Sequence, residues 1–315
     1  MSSLVVPPSL ESPRKDATDL YKAFKGFGCD TKAVVNILSH RDATQRALIQ
    51  QEYKSMYGDE LTKRLRSELS GDLERAVLLW LHDPATRDAT IVMKALHNDS
   101  VDLQAAIEVI CSRTPSQIQV FKQTYYMKFG YQLEYDVQQL ASGDLEKLLL
   151  THITTMRYEG PEVDPNMVER DGRDLYKAGE KRFGTDEMAF IHIFCTRSSA
   201  HLAAVASYYH NTYGNSLEKA LKSETSGNFE FALLTILRTA INPAAFFAKR
   251  LRKSMKGIGT TDSMLIRIVV SRTEIDMQYI KMEYQKKYKK PLSEAIHSET
   301  SGQYRAFLLA LVGTN

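Results

Sequence analysis

The sequence predicts an all-α chain built from four homologous modules of about five helices each. Apolar residues recur at three- and four-residue steps, as in Ala33-Val34-Val35-Asn36-Ile37-Leu38 and Leu73-Glu74-Arg75-Ala76-Val77-Leu78-Leu79, and no comparable period-two stretch occurs. One loop position recurs at 26, 98, 182 and 257, followed fifteen residues later by Arg41, Arg113, Arg197 and Arg272. A Ser-Gly turn follows forty-five residues after each loop, at Gly71, Gly143, Gly227 and Gly302. A period of this size marks stacked modules that bury their apolar faces on one another.

Taken in order, residues 1–13 are rich in proline and serine and read as an extended, loosely held head. Module 1 covers 14–84 and module 2 covers 85–156. Loop spacing is 72 residues between these two and widens to 84 between modules 2 and 3. The added stretch, with Gly160-Pro161 and Asp164-Pro165, reads as a linker over 157–170 and divides the chain into two halves of two modules each. Module 3 then covers 171–242 and module 4 covers 243–315. Trp80 closes an apolar helical face and reads as core.

The informative stretch is Met255-Lys256-Gly257-Ile258-Gly259-Thr260-Thr261-Asp262. Two glycines one residue apart let a tight loop turn its carbonyl oxygens outward, because no Cβ blocks the unusual backbone angles. A helix is expected straight after, capped by Thr261 or Asp262, with Leu265, Ile268 and Val269 on its buried side. Forty-two residues after the loop position stand Glu68, Leu140, Glu224 and Glu299. Module 1 has both glycines (Gly26, Gly28) and Glu68, and module 4 is likewise complete. Module 3 has Arg182 in place of the first glycine but keeps Gly184 and Glu224. Module 2 has Asn98, Ser100 and Leu140, so glycines and acid are missing together. That joint loss points to one shared purpose. Loop carbonyls with one carboxylate make an all-oxygen nest suited to a hard cation such as Ca²⁺.

The glycine loop, the arginine fifteen residues on and the acid before a Thr-Ser-Gly turn resemble the annexin repeat, four times over about residues 14–313. The short head and the intact loops confined to repeats 1 and 4 resemble the plant annexins. The resemblance implies a curved right-handed superhelical disc with calcium loops on its convex face. It implies calcium on the carbonyls of Phe24, Gly26 and Gly28 with Glu68, and on those of Met255, Gly257 and Gly259 with Glu299. Glu180, Arg182, Gly184 and Glu224 make a weaker candidate in repeat 3, and repeat 2 is expected not to bind. The expected function is calcium-dependent attachment to anionic phospholipid membranes, with Ca²⁺ bridging loop and lipid phosphate. Lys25, Phe27, Lys256 and Ile258 would meet the membrane, together with the apolar Phe183. Asp88, Glu108, Arg113 and Arg272 match residues that line the annexin central channel; salt bridging between modules is the favoured reading, with ion conduction a minor one.

Two alternatives of other classes come from the same resemblance: a peroxidase acting through His40, and an F-actin adaptor acting through Ile266-Arg267-Ile268. His40 stands alone, with Ser112, Thr196 and Ser271 at the matching positions, and the isoleucines fit a helix core equally well. The favoured expectation is therefore no enzyme. Gly179-Glu180-Lys181-Arg182-Phe183-Gly184 mimics the start of a P-loop, but Thr185-Asp186 follows where Lys-Ser/Thr is required, leaving no nucleotide motif.

Composition narrows the setting. A net charge of +3 does not support nucleic-acid binding. Residues 2–11 are too short in apolar core for a signal peptide, and no apolar run approaches the 18 residues of a membrane span. Three cysteines fit a reducing cytosol, and Cys111 and Cys195, at equivalent places, read as buried small apolar residues. Lys286 to Lys290 reads as a solvated basic face. The expected location is cytoplasmic, peripheral on membranes when calcium is raised.

Overall fold

The computed structural model describes residues 1–9, 11–26, 28–257 and 259–313. Among them every regular element is a helix. Repeat 1 folds as α1 (Pro13–Ala23), α2 (Thr31–Leu38), α3 (Ala43–Tyr57), α4 (Leu61–Glu68) and α5 (Gly71–Leu81). Repeat 2 follows as α6 (Pro84–His97), α7 (Leu103–Ser112), α8 (Pro115–Phe129), α9 (Leu133–Leu140) and α10 (Gly143–Thr154). Repeat 3 comprises α11 (Pro165–Ala178), α12 (Glu187–Thr196), α13 (Ser199–Tyr213), α14 (Leu217–Glu224) and α15 (Gly227–Ile241). Repeat 4 comprises α16 (Pro243–Ser254), α17 (Asp262–Arg272), α18 (Met277–Tyr288), α19 (Leu292–Glu299) and α20 (Gly302–Val312).

The helix boundaries have local causes. Each second helix has its N-cap at the residue four after the loop position. Asp30, Asp102 and Asp186 there accept from the backbone N–H groups of Ala33, Ala105 and Ala189. In repeat 4 Thr261 takes that place without a side-chain cap, and Asp262 instead accepts from the Tyr304 hydroxyl at 2.9 Å. The Ser-Gly turns open every fifth helix, with Gly71, Gly143, Gly227 and Gly302 at φ between 60° and 63°. Helix α11 begins inside the stretch read as a linker. Asp164 caps it and Pro165 occupies its first position, where a missing N–H costs nothing. The remainder of that stretch is tied down: Arg157 donates to the His152 carbonyl at 3.1 Å, and Glu159 accepts from the backbone and hydroxyl of Ser116.

The chain forms two compact units, Met1–Arg87 with Phe247–Asn315, and Asp88–Phe246. Repeat 1 thus packs with repeat 4, and repeat 2 with repeat 3, which replaces the halves expected from the widened spacing. In the first unit α5 packs against α17 and α20, and α2 against α20. In the second α10 packs against α12 and α15, and α7 against α15. The first core is filled by residues such as Leu20, Val34, Trp80, Ile268, Phe307 and Leu311, and the second by Ile107, Phe121, Leu148, Phe194 and Leu233. Trp80 is fully buried and donates its indole N–H to the Leu38 carbonyl at 2.8 Å. The head is not loose at its start. Ser3 is buried, its backbone N–H donates to Thr273 and its hydroxyl to Leu311.

Each recurrent arginine clamps helices within its repeat. Arg41 makes two hydrogen bonds to Asp16, Arg113 to Asp88, and Arg197 to Asp171, with Nε at 2.6 Å in all three. Repeat 4 has Phe247 at the place of Asp16 and Asp88. There Arg272 turns to Asp276, at 2.8 and 2.6 Å, and lies over the Phe247 ring.

Candidate functional site

The loops of repeats 1 and 4 share one backbone shape. Gly26 and Gly28 have φ of 118° and 93°, and Gly257 and Gly259 have 115° and 85°. L side chains rarely adopt these angles, so the two-glycine spelling is a geometric requirement. Phe24 and Met255 are buried and anchor the entry to each loop, whereas Lys25, Gly26 and Gly28, and Lys256, Gly257 and Gly259, are exposed. The exit is fixed by a 2.8 Å bond from the Asp30 N–H to the Ala23 carbonyl, matched by Thr261 and Ser254. Phe27 and Ile258, expected to meet the membrane, lie outside the described residues.

The distant acid ends the fourth helix of its repeat: Glu68 in α4, Glu224 in α14, Glu299 in α19. A carboxylate at a helix C-terminus opposes the helix dipole, which places negative charge where the last carbonyls already point. Such an end favours a cation. In repeat 4 the loop reaches this acid directly. The Thr260 hydroxyl lies 3.1 Å from Glu299 Oε2 and 3.4 Å from the Glu299 carbonyl. In repeat 1 a guanidinium joins them: Arg64 Nη2 stands 3.0 Å from the Phe24 carbonyl and 2.7 Å from Glu68 Oε1. Cys29 takes the place of Thr260 there, and burial followed by the nearby Glu68 charge pushes its thiol up.

Repeat 3 joins loop and acid through the equivalent threonine, with the Thr185 hydroxyl 2.9 Å from Glu224 Oε2. Its loop is one residue longer. The closing bond runs from Asp186 to Ala178, against Asp30 to Ala23 in repeat 1, so the gap-free register ends before this loop. Gly179 accommodates the added residue; a Cβ there would stand 3.0 Å from Glu224 Cγ. Of the expected repeat 3 residues, Gly184 has positive φ and matches Gly28 and Gly259. Arg182 is exposed and lies 3.8 Å from Asp186, and Glu180 accepts from the Tyr209 hydroxyl and from Asn215. Phe183 at the tip is fully exposed. Repeat 2 has replaced the site: buried Asp136 accepts from Tyr125 at 2.5 Å and pairs with His97 at 2.8 Å.

Other sequence candidates fall elsewhere. Arg113 pairs with Asp88, and Arg272 with Asp276, each within one repeat; Glu108 is buried in α7. The bridge that does join two modules was not singled out by sequence. Glu274 of repeat 4 takes hydrogen bonds from Arg46 and from the Ala43 N–H of repeat 1. Ile266, Arg267 and Ile268 are all buried in α17, so this tripeptide presents no exposed surface. His40, just past the end of α2, has Nδ1 2.9 Å from the Asn36 carbonyl of that helix and 3.0 Å from the Ser39 hydroxyl. Burial pushes both the Cys111 and Cys195 thiols up, Cys195 to about 12, which keeps them protonated and unreactive. Among the described residues no helix is long and apolar enough to cross a membrane, and no group of three or more His, Cys, Asp or Glu side chains gathers at one point. A loop nest with one acid apiece needs no such cluster.

The family model described as Annexin matches residues 15–80, 87–151, 170–236 and 246–311. Annexin D5 of Arabidopsis thaliana is 51% identical over 315 residues, covering 100% of both chains. Among solved structures, annexin III superposes with a TM-score of 0.96 at 38% identity, covering 100% of this chain and 97% of that one. The calcium-bound structure of annexin (Sm)1 matches at TM-score 0.85 and 28% identity, covering 99% and 93%. With four matched repeats, an all-helical fold shared end to end and a plant relative at this identity, the chain belongs to the annexin family.

Proposed function

We propose that this annexin attaches to anionic phospholipid membranes when calcium is present, through the loops of repeats 1 and 4. The observation that carries this reading is the Thr260–Glu299 contact, which brings a carboxylate onto a two-glycine loop of positive φ. The donor set fits a hard cation: carbonyls of Met255, Gly257 and Gly259 with Glu299, and of Phe24, Gly26 and Gly28 with Glu68. All are oxygen, and only one per site is charged. When bound, calcium supplies a divalent centre whose remaining positions suit lipid phosphate oxygens. The protein contributes carbonyls on a two-glycine loop, a carboxylate held by a hydroxyl in repeat 4 and by Arg64 in repeat 1, and a lysine beside each site. Exposed Lys25 and Lys256 each add about 1 kcal/mol near an anionic surface. With so few charged ligands, affinity without lipid is on the order of 10⁻⁴ M or weaker.

Repeat 3 keeps loop and acid together but with one glycine of positive φ, and is the weaker site; repeat 2 has neither feature. The location that follows is cytoplasmic, with reversible attachment to the membrane surface. The test is co-sedimentation with phosphatidylserine vesicles at graded calcium, with and without chelator. Glu68→Gln combined with Glu299→Gln raises the calcium needed for half-sedimentation by at least about tenfold, the loss expected when a charged ligand goes. Unchanged sedimentation of the double variant removes the loop assignment.

A further inference from the structure

We infer that Arg64 is a built-in cation of the repeat 1 site, which must leave before calcium enters, so that repeat 1 fills at higher calcium than repeat 4. This rests on the calcium reading above and adds an order of filling to it. One nitrogen of Arg64 bridges two of the groups assigned as ligands, the Phe24 carbonyl and the Glu68 carboxylate. Its guanidinium also lies 5.9 Å over the Phe24 ring, so the side chain is held at the loop by three contacts.

The arrangement follows from register. Arg64 precedes Glu68 by one turn of α4, and side chains four apart meet on a helix face. The same place in the other fourth helices is Asp136, Ala220 and Ala295. Neither alanine can reach the loop, and there Glu224 and Glu299 are met by the neutral hydroxyls of Thr185 and Thr260. Repeat 1 differs twice, with Cys29 in place of the threonine and a charged partner on its acid. A guanidinium and a divalent ion cannot share one carboxylate and one carbonyl without strong repulsion. Calcium entry therefore breaks the Arg64–Glu68 pair, whose side chains are 38% and 17% exposed. Partly exposed pairs of this kind shift a competing equilibrium by about fivefold.

The experiment uses the full chain carrying Glu224→Gln and Glu299→Gln, so that repeat 1 is the remaining complete site. Calcium titrations are followed calorimetrically in the presence of phosphatidylserine vesicles. Arg64→Met keeps a long apolar stem against Phe24 and removes the charge. It is expected to lower half-saturating calcium about fivefold. Lys63→Ala removes the same charge one residue away, from a side chain 81% exposed, and is expected to shift the curve by less than about twofold. Overlap of Arg64→Met with its parent, or equal shifts in both variants, overturns the proposal. Absence of calcium heat from parent and Arg64→Met alike also overturns it. The general calcium reading is judged separately by the unsubstituted protein, where Glu299 remains. Retained helical circular dichroism and an unchanged unfolding midpoint in Arg64→Met show that a shift is not misfolding.

Discussion

Glu274→Gln tests what holds repeats 1 and 4 in one unit. Glu274 accepts from the Ala43 N–H at 3.0 Å and from Arg46 at 3.2 and 3.1 Å, and Arg87 stands 3.4 Å away. The Arg46 side chain is 0% exposed, Arg87 is 2% exposed, and Glu274 is 16% exposed. Burial already depresses the Arg46 pKa against the opposing pull of Glu274. Glutamine preserves shape and one acceptor but removes the Glu274 charge that faces the two buried guanidiniums. Removing one partner of a buried pair costs about 3–5 kcal/mol. Trp80 offsets part of this, since Arg46 and Arg87 lie 3.7 and 5.1 Å from its ring, and a desolvated cation–π contact contributes about 2 kcal/mol. The expected loss is about 1–3 kcal/mol, the difference of these two terms. Trp80 is the only tryptophan of the chain, so its fluorescence in a urea titration reports this unit selectively. A midpoint within error of the parent would show that the two arginines are satisfied without Glu274 and would refute the argument.

Two further expectations concern the other unit and the repeat 4 loop. Asp171 is raised by burial but pulled down further by hydrogen bonds from Arg197 and His201, so its carboxyl titrates below the ordinary aspartate range. A depressed folded pKa gives stability that is present above the unfolded value, near 4, and is lost as pH falls through the folded one. Asp171→Asn should therefore lower stability at pH 7 and flatten its decline as pH falls below about 4, as read by urea midpoints followed by circular dichroism. Thr260→Val keeps the side-chain size and removes the donor to Glu299 Oε2. It should raise the calcium needed for vesicle binding about fivefold, the worth of one exposed hydrogen bond of about 1 kcal/mol, with no change in melting. An unshifted calcium curve would show that Glu299 is oriented without the hydroxyl.

Loop and acid were legible in the sequence because their separation never varies. A fixed interval of forty-two residues carries its message whatever the intervening helices do. The clamp on each recurrent arginine was half legible. Asp16 and Asp88 stand ten residues before the loop position, and counting backward would have found them. Asp171 stands eleven before, because the repeat 3 loop carries the extra residue that Gly179 accommodates. A one-residue insertion costs little at an exposed loop, so nothing in the composition announces it.

Which modules share a core was not legible, and the physical reason is general to helical arrays. A long connection says how far the chain must travel, not which apolar faces meet at its end. The stretch from Arg157 to Asp164 links repeats 2 and 3, yet those two belong to one unit, and the stretch is pinned to it by Arg157 and Glu159. The closely spaced junction between repeats 1 and 2 is instead where the units divide, inside α6. The pairing was carried by groups whose partners lie over two hundred residues away, such as Arg46 and Glu274. Its consequence for function is direct. The two repeats that keep both glycines and the acid share one unit, and Trp80 and the Arg46–Glu274 bridge lie within it. A single emission spectrum can therefore be tested for calcium response at both complete loops, whereas Phe183 and the longer loop of repeat 3 belong to the unit without a tryptophan.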